Sequence, residues 1–199
     1  MNIVPAKHFD LPQIMNIERA SFIPQIQESE KTFEKRLNIF PNGFLLLQDA
    51  SEQTIKEKRT AQNAGYFCSE IWQTIPTDND FFTLGHDPAK LHADNGIVLY
   101  VSSFALFPEY RGKNLATQFF KDCLCTICKT FPKIKTVLLL VNSEWTGAKK
   151  IYKNLGFTKL RILKDFFPSL HADFSDGILM SAPADFFRTQ EIESEFEQK

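Results

Sequence analysis

Basic residues and a glycine come together at one strand-to-helix junction of the sequence. An apolar segment, Val101–Phe107, runs through a proline turn into Arg111, Gly112 and Lys113, and a helix is predicted from Asn114 onward. The first N–H groups of a helix have no partner within it and carry the positive end of its dipole. Gly112 lets a ligand approach the backbone, and the basic side chains add positive charge. The junction predicts a diphosphate site, with an ordinary basic turn as the alternative.

The cysteines suggest a second kind of chemistry. Cys125 and Cys128 form a C-x-x-C, a spacing found in redox centres and in half of a zinc site. A redox pair lowers its thiol pKa at a helix N-terminus, whereas these residues lie late in a predicted helix. A structural zinc site needs four ligands, and the other two cysteines, Cys68 and Cys123, do not form a second pair. We therefore expect reduced, partly buried thiols and no metal.

The composition places these residues in one globular domain. The 199 residues are 43% hydrophobic and 24% charged, and the 20 phenylalanines predict a Phe-packed core, with a few available to line a pocket. A net charge of −1 gives no reason to expect nucleic acid or an anionic membrane as partner. Apolar runs such as Val137–Val141 are too short to span a bilayer. Met1–Asp10 lacks the pattern of a signal peptide, so we expect a cytoplasmic protein.

The apolar spacing predicts two helices, a hairpin, a long strand, a helix, a strand, a helix and a closing strand pair, which indicates an α/β (α+β) fold with a mixed sheet. The first two helices begin at Asp10 and Ser29. The other predicted elements are strands Phe44–Gln48, Gly65–Trp72, Gly96–Phe107, Lys135–Asn142, Phe157–Phe167 and Gly177–Ala182, and helices Asn114–Phe131 and Glu144–Leu155. The long connections 49–64 and 73–95 are either functional loops or disordered insertions. We predict one domain over residues 1–183 and an acidic tail, with helical spacing, over 184–199.

Two segments resemble motifs of the GNAT superfamily of N-acetyltransferases. Pro108–Ala116 is similar to motif A, Q/R-x-x-G-x-G/A, with Asn114 where the family usually has glycine; asparagine tolerates left-handed backbone angles better than other non-glycine residues. Ala148–Phe157 is similar to motif B, A-x-x-x-Y-x-x-x-G-F. The motifs occur in family order, and the resemblance covers about residues 1–183. It is closest to the arylalkylamine and ribosomal-protein-alanine branches.

The resemblance implies a GNAT fold, with a mixed, mostly antiparallel sheet flanked by helices, and acetyl-CoA as co-substrate without a metal. It implies that backbone amides of the motif A turn hold the coenzyme A pyrophosphate and that the preceding strand pairs with the pantetheine arm. The residues implied to contact the coenzyme are Phe104, Ala105, Leu106, Arg111, Gly112, Lys113, Asn114, Leu115, Ala116 and Thr117.

The resemblance also assigns catalytic residues. Tyr152 fills the motif B tyrosine and is the implied general acid for the coenzyme A thiolate, the alternative being a tyrosine that merely packs. The usual bases of both branches are missing, because Tyr100 and Ser102 replace the His-x-His pair of one branch and Leu140 replaces the glutamate of the other. An alkylammonium has a pKa near 10.4, so its proton needs a route out. Water held by Tyr100 and Ser102 is one route, and a base from another segment is the alternative, the candidates being Glu28, His92 and His171.

Three functions agree with these residues. A small amine, such as an arylalkylamine or a polyamine, is the acceptor we favour. A protein N-terminus or lysine is the second, and the third is a GNAT-fold module that binds acyl-CoA without turnover. The sequence does not indicate an oligomeric state.

Overall fold

The computed structural model describes residues 1–49, 62–112, 114–169, 171 and 173–191. Within them, seven strands form one sheet in the order β1-β2-β3-β4-β5-β7-β6. β4 and β5 are parallel, and the other neighbouring strands are antiparallel. The strands are β1 (Asn2–Pro5), β2 (Phe44–Asp49), β3 (Gln62–Trp72), β4 (Val98–Leu106), β5 (Thr136–Asn142), β6 (Thr158–Pro168) and β7 (Phe174–Pro183).

Helices cover both faces of this sheet. They are α1 (Leu11–Ser21), α2 (Glu30–Ile39), α3 (Pro88–Leu91), α4 (Leu115–Thr130), α5 (Thr146–Asn154) and α6 (Ala184–Arg188). Side chains of β2 alternate between two core clusters: Phe44 and Leu46 join α1 and α2, whereas Leu45 and Leu47 join α4 and α6. Alternation of this kind follows from the two-residue period of a strand. No helix in the described part of the chain is long and apolar enough to cross a membrane.

A bulge and a splay interrupt the sheet at its centre. The register of β3 and β4 pairs Cys68 with Ser103 and Ser69 with Val101, which leaves Ser102 as an extra residue in β4. The parallel pairing of β4 with β5 extends only from Val98 to Val101, opposite Thr136–Leu139. The remainder of β4 has no partner on its β5 side in the described sheet, so the two strands separate and leave an opening.

Most predicted elements are confirmed, with shifts of a few residues at their ends. The Ser29 hydroxyl caps α2 by accepting from Thr32 N, and Gly156 follows α5 with a φ of +83°. The predicted helix start at Asp10 is correct, but the Asp10 carboxylate does not cap α1. It accepts hydrogen bonds from Lys7 N at 2.9 Å and from Asn63 Nδ2 at 3.3 Å.

The two long connections have different outcomes. Residues 50–61 lie outside the described residues, and 62–64 belong to β3. The 73–95 connection is folded: it contains a 3-10 turn, Asn79–Phe82, and helix α3. The predicted tail begins with α6, whose Phe187 is buried in the core, and its residues 192–199 are outside the described part.

Candidate active site

A cavity of about 440 Å³ occupies the opening between β4 and β5. Val101–Phe104 of β4 and Leu139 and Leu140 of β5 form its middle. Tyr152 lines it from the α4–α5 face of the sheet, and Glu18 lines it from the α1–α2 face. The cavity therefore has walls on both faces of the sheet and connects them through the splay.

Tyr152, the predicted acid, is a cavity residue. Its ring is 5.0 Å from that of Phe120 in α4 and 5.9 Å from that of Phe157, centroid to centroid, so packing on both sides positions it. Burial raises the pKa of Tyr152 well above its ordinary value. No hydrogen bond joins its hydroxyl to any residue in the described part of the chain. The phenol is therefore protonated at neutral pH and available to a ligand.

Tyr100 and Ser102 line the same cavity as Tyr152. The Tyr100 ring stacks on Trp72, with centroids 4.1 Å apart, and burial raises the pKa of Tyr100. The Ser102 hydroxyl donates to the Cys68 carbonyl at 3.2 Å, which closes the bulge. Because that proton is already engaged with the backbone, Ser102 can offer a ligand only its lone pairs.

The three alternative bases are separated by the fold. Glu28 lines the cavity, and its Oε1 accepts from Arg36 Nη2 at 3.1 Å and from Gly85 N at 3.1 Å. His92 does not line the cavity; its Nδ1 accepts from Ile71 N at 3.3 Å. His171 is exposed and also lies outside the cavity wall. Of these three, only Glu28 lines the cavity.

The structure adds a carboxylate that the motifs did not identify. Glu18 of α1 is 1% exposed and accepts hydrogen bonds from Glu28 N, at 2.8 Å, and from the Tyr66 hydroxyl. Burial raises the pKa of Glu18 from 4.5 to about 7, an effect that these two hydrogen bonds only partly offset. A signal was present in the sequence: Glu18 follows Ile14 by four residues and so falls on the apolar face of α1.

Beside it lies a buried ionic cluster, also missed, that ties the 73–95 connection to the sheet. Arg36 Nε donates to Glu70 Oε1 at 3.0 Å, and His86 Nε2 lies 2.9 Å from the same oxygen. Trp72 Nε1 donates to the other oxygen of Glu70 at 3.0 Å. Burial alone would raise the pKa of Glu70, but the His86 hydrogen bond and the Arg36 charge hold it below its ordinary value. These groups fix one wall of the cavity.

The motif A turn has a backbone suited to an anion. Gly112 has a φ of +91°, Asn114 has a φ of +59°, and α4 begins without a side-chain cap. Asn114 thus adopts the left-handed conformation expected of it at a family glycine. An added Cβ at Gly112 would meet nothing within 4 Å, so the turn is open to a ligand. Lys113 lies outside the described residues.

Arg111 has a different role from the one its charge suggested. Its Nε donates to the Leu106 carbonyl at 3.1 Å, and its Nη2 donates to the Ser21 hydroxyl at 2.9 Å. The guanidinium therefore braces the turn against the end of β4 and α1.

The thiols and metal-ligating groups have no catalytic arrangement in the described part of the chain. All four cysteines are buried and free, and burial raises the pKa of Cys68 and of Cys128 to about 12. No group of three or more His, Cys, Asp or Glu side chains among these residues could hold a metal ion.

Comparisons with known proteins agree with this geometry. No family model and no curated protein sequence matches the chain. Among solved structures, the loading GNATL domain of CurA from Lyngbya majuscula has a TM-score of 0.74 and 13% identity, covering 92% of this chain and 98% of that one. The GphF GNAT-like decarboxylase in complex with isobutyryl-CoA has a TM-score of 0.72 and 14% identity, covering 92% and 100%.

A third solved structure belongs to a branch that the motifs indicated. The ribosomal-protein-S18-alanine N-acetyltransferase from Escherichia coli has a TM-score of 0.65 and 17% identity, covering 98% of this chain and 99% of that one. Likeness at this level of identity establishes the fold, and it confirms the fold predicted from the two motifs. With its mixed seven-stranded sheet and the splay between β4 and β5, this chain has the GNAT fold.

Proposed function

We propose that the protein is an N-acetyltransferase that transfers the acetyl group of acetyl-CoA to a primary amine by direct attack. The observation that carries the proposal is the cavity through the splayed sheet, which places Tyr152 on one face and buried carboxylates on the other. Such a cavity can admit a thioester from one face and an amine from the opposite face. Direct transfer needs no enzyme nucleophile, in agreement with the buried, protonated thiols.

The motif A turn is the proposed coenzyme site. Its left-handed residues and the uncapped start of α4 suit a pyrophosphate, and the unpaired side of β4 suits the amides of a pantetheine arm. Phe104 belongs both to this strand and to the cavity wall, so a ligand lying along β4 from the turn would reach the cavity. The proposed contacts are the ten residues predicted from the sequence: Phe104, Ala105, Leu106, Arg111, Gly112, Lys113, Asn114, Leu115, Ala116 and Thr117.

The chemistry divides between the two faces of the sheet. The neutral amine attacks the thioester carbonyl, and a free backbone N–H of the splayed part of β4 stabilises the oxygen that becomes negative. When the C–S bond breaks, Tyr152 gives its proton to the sulfur and recovers one from the acetylated nitrogen. Tyr100 and Ser102 border the path of the amine.

A small amine is the proposed acceptor. The cavity volume of about 440 Å³ lies within the usual range for small-molecule sites. Its acceptor end combines aromatic residues, including Phe22, Phe166 and Phe167, with the carboxylates of Glu18 and Glu28, the latter paired with Arg36. An apolar wall with acidic groups matches an ammonium on an apolar body. A protein N-terminus or lysine is the alternative acceptor, and the relative rates with small amines and with a peptide would distinguish the two kinds of acceptor.

A decarboxylase is a second candidate, because the GNAT-like decarboxylase resembles this chain more closely, at a TM-score of 0.72, than the ribosomal-protein enzyme does, at 0.65. A decarboxylation needs no amine, since a carboxylate leaves as CO₂ and the carbon that carried it takes up a proton. It therefore differs from amine acetylation in both its substrate and its product.

The test is release of free coenzyme A thiol from acetyl-CoA with phenethylamine, spermidine and an alanine-starting peptide, with the acetylated products identified by mass spectrometry. We expect thiol release that depends on amine and is fastest with phenethylamine. CO₂ release from malonyl-CoA without an amine would favour the decarboxylase. Coenzyme A binding without either reaction would indicate a non-catalytic binding module.

A further inference from the structure

The motifs leave the acceptor amine without a base, and the structure supplies a continuous set of polar groups at that point. Ser103 lines the cavity one residue after the β4 bulge. Its hydroxyl lies 2.8 Å from the Tyr66 hydroxyl, which donates to Glu18 Oε2. Since the Tyr66 proton is engaged with Glu18, Ser103 is the donor to Tyr66. The three side chains form an ordered path from Ser103 on the β4 side of the cavity, through the buried Tyr66, to Glu18 on its α1 side.

We propose that the proton lost by the acceptor ammonium passes through the hydroxyls of Ser103 and Tyr66 to the buried carboxylate of Glu18. This proposal rests on the proposed acetyltransferase function and adds the proton route that the sequence did not provide. The route matters most for amines that are protonated at neutral pH, since these must lose a proton before attack.

Burial and charge suit Glu18 to accept a proton near neutral pH. The carboxylate is 1% exposed, and burial is the main reason that its pKa rises to about 7. The groups that face it are Tyr66 from β3, Glu28 from the segment between α1 and α2, and Arg36 from α2. Glu28 raises the pKa of Glu18 and Arg36 lowers it, so the two charges oppose each other and burial dominates.

Every proton in the proposed transfer is accounted for. Ser103 takes a proton from the ammonium and passes its own to Tyr66, which passes its own to Glu18, so that a neutral amine and a protonated Glu18 result. The amine then forms the C–N bond and the C–S bond breaks, and the second nitrogen proton replaces the one that Tyr152 gave to sulfur. Glu18 finally releases its proton to solvent, so one proton is released in each turnover.

The test compares two amines of nearly the same shape, phenethylamine and 2,2-difluoro-2-phenylethylamine, whose ammonium is much more acidic. In the wild-type protein we expect kcat for phenethylamine to rise with pH, with a midpoint near 7, because Glu18 must be deprotonated to accept the proton. Glu18→Gln should lower that kcat by about 100-fold or more at pH 7.5, with a continued rise at higher pH. With the difluoro amine the same variant should lose less than about 10-fold, because little ammonium remains to be deprotonated.

Two further variants complete the design. Glu34→Gln removes an exposed carboxylate of α2 and should keep the wild-type pH profile. Ser103→Ala breaks the path at its cavity end and should lose activity selectively with phenethylamine, which decides the question if Glu18→Gln does not fold. A wild-type pH profile in both Glu18→Gln and Ser103→Ala, or equal losses on the two amines, would overturn the relay alone. Absence of turnover in the wild-type protein with either amine would overturn the acetyltransferase function and the relay with it.

Discussion

Replacing Tyr152 by phenylalanine removes one oxygen from the cavity and leaves the ring packing intact. Because the hydroxyl has no hydrogen-bond partner in the described part of the chain, its loss should change the free energy of unfolding by less than about 1 kcal/mol. Loss of a positioned general acid should lower kcat by about 10²–10⁴-fold, which corresponds to about 3–5 kcal/mol of transition-state stabilisation. Stability and catalysis should therefore respond very differently to the same substitution.

The assay is thiol release at saturating acetyl-CoA and amine, combined with calorimetric binding of coenzyme A. We expect the Kd of coenzyme A to stay close to the wild-type value, because no charge is lost. Tyr110→Phe is the matched control, since it removes a hydroxyl that donates to Asp49 at 3.3 Å and lies outside the cavity wall. Burial raises the pKa of Tyr152 above its ordinary 10, so wild-type kcat should not fall between pH 8 and 10 through loss of this proton. A kcat near the wild-type value in Tyr152→Phe would refute the acid assignment.

Four other outcomes are expected. Gly112→Asp should weaken coenzyme A binding far more than Gly112→Asn, because both side chains strain a backbone with positive φ but only aspartate carries a charge that repels a diphosphate. Equal affinities of the two variants in calorimetry would show that the coenzyme binds elsewhere. Changing all three cysteines of α4, Cys123, Cys125 and Cys128, to serine or alanine should lower stability more than kcat. A folded but inactive variant would indicate a covalent role for a thiol. Relative to wild type, Glu18→Gln should gain up to about 3 kcal/mol of unfolding free energy as pH rises from 4.5 to 8, because a carboxyl with a raised pKa loses its stabilising contribution as pH rises through about 7. An equal dependence of unfolding free energy on pH in the two proteins, measured with urea, would contradict this. Arg36→Met leaves Glu28 and Glu70 buried without their cation and should lower the free energy of unfolding by about 3–5 kcal/mol, measured with urea. A loss below about 1 kcal/mol would contradict this.

Local chemistry explains why so much of the fold could be predicted from the sequence. The left-handed Asn114, the cap at Ser29 and the terminating Gly156 depend on neighbours within a few positions. Strand β1 was missed because its four residues, Asn2–Pro5, are too short for an alternating pattern. It forms by pairing with β2, which lies 40 or more positions away.

The polar groups on the α1–α2 side of the cavity could not be predicted, because their contacts are remote in sequence. Tyr66 lies 48 positions from Glu18 and 37 from Ser103, and Arg36 lies 34 from Glu70. No periodicity connects such residues, and only the folded sheet brings them together. The position of Glu18 on the apolar face of α1 was nevertheless a signal in the sequence, since a carboxylate is costly to bury unless it finds partners there.

The splay between β4 and β5 also bears on how this scaffold can change its substrates. The gap begins where backbone pairing ends, at Val101 and Leu139, and the extra residue Ser102 sits beside it. Its existence is therefore a property of the main chain, which point substitutions of the surrounding side chains do not remove. Under the proposed function, mutations on the α1–α2 face would remodel the acceptor side while the side proposed for the thioester stays in place. Acceptor preference and acyl-donor binding would then change independently, and exchanging the α1–α2 wall alone should alter the acceptor without changing coenzyme A affinity.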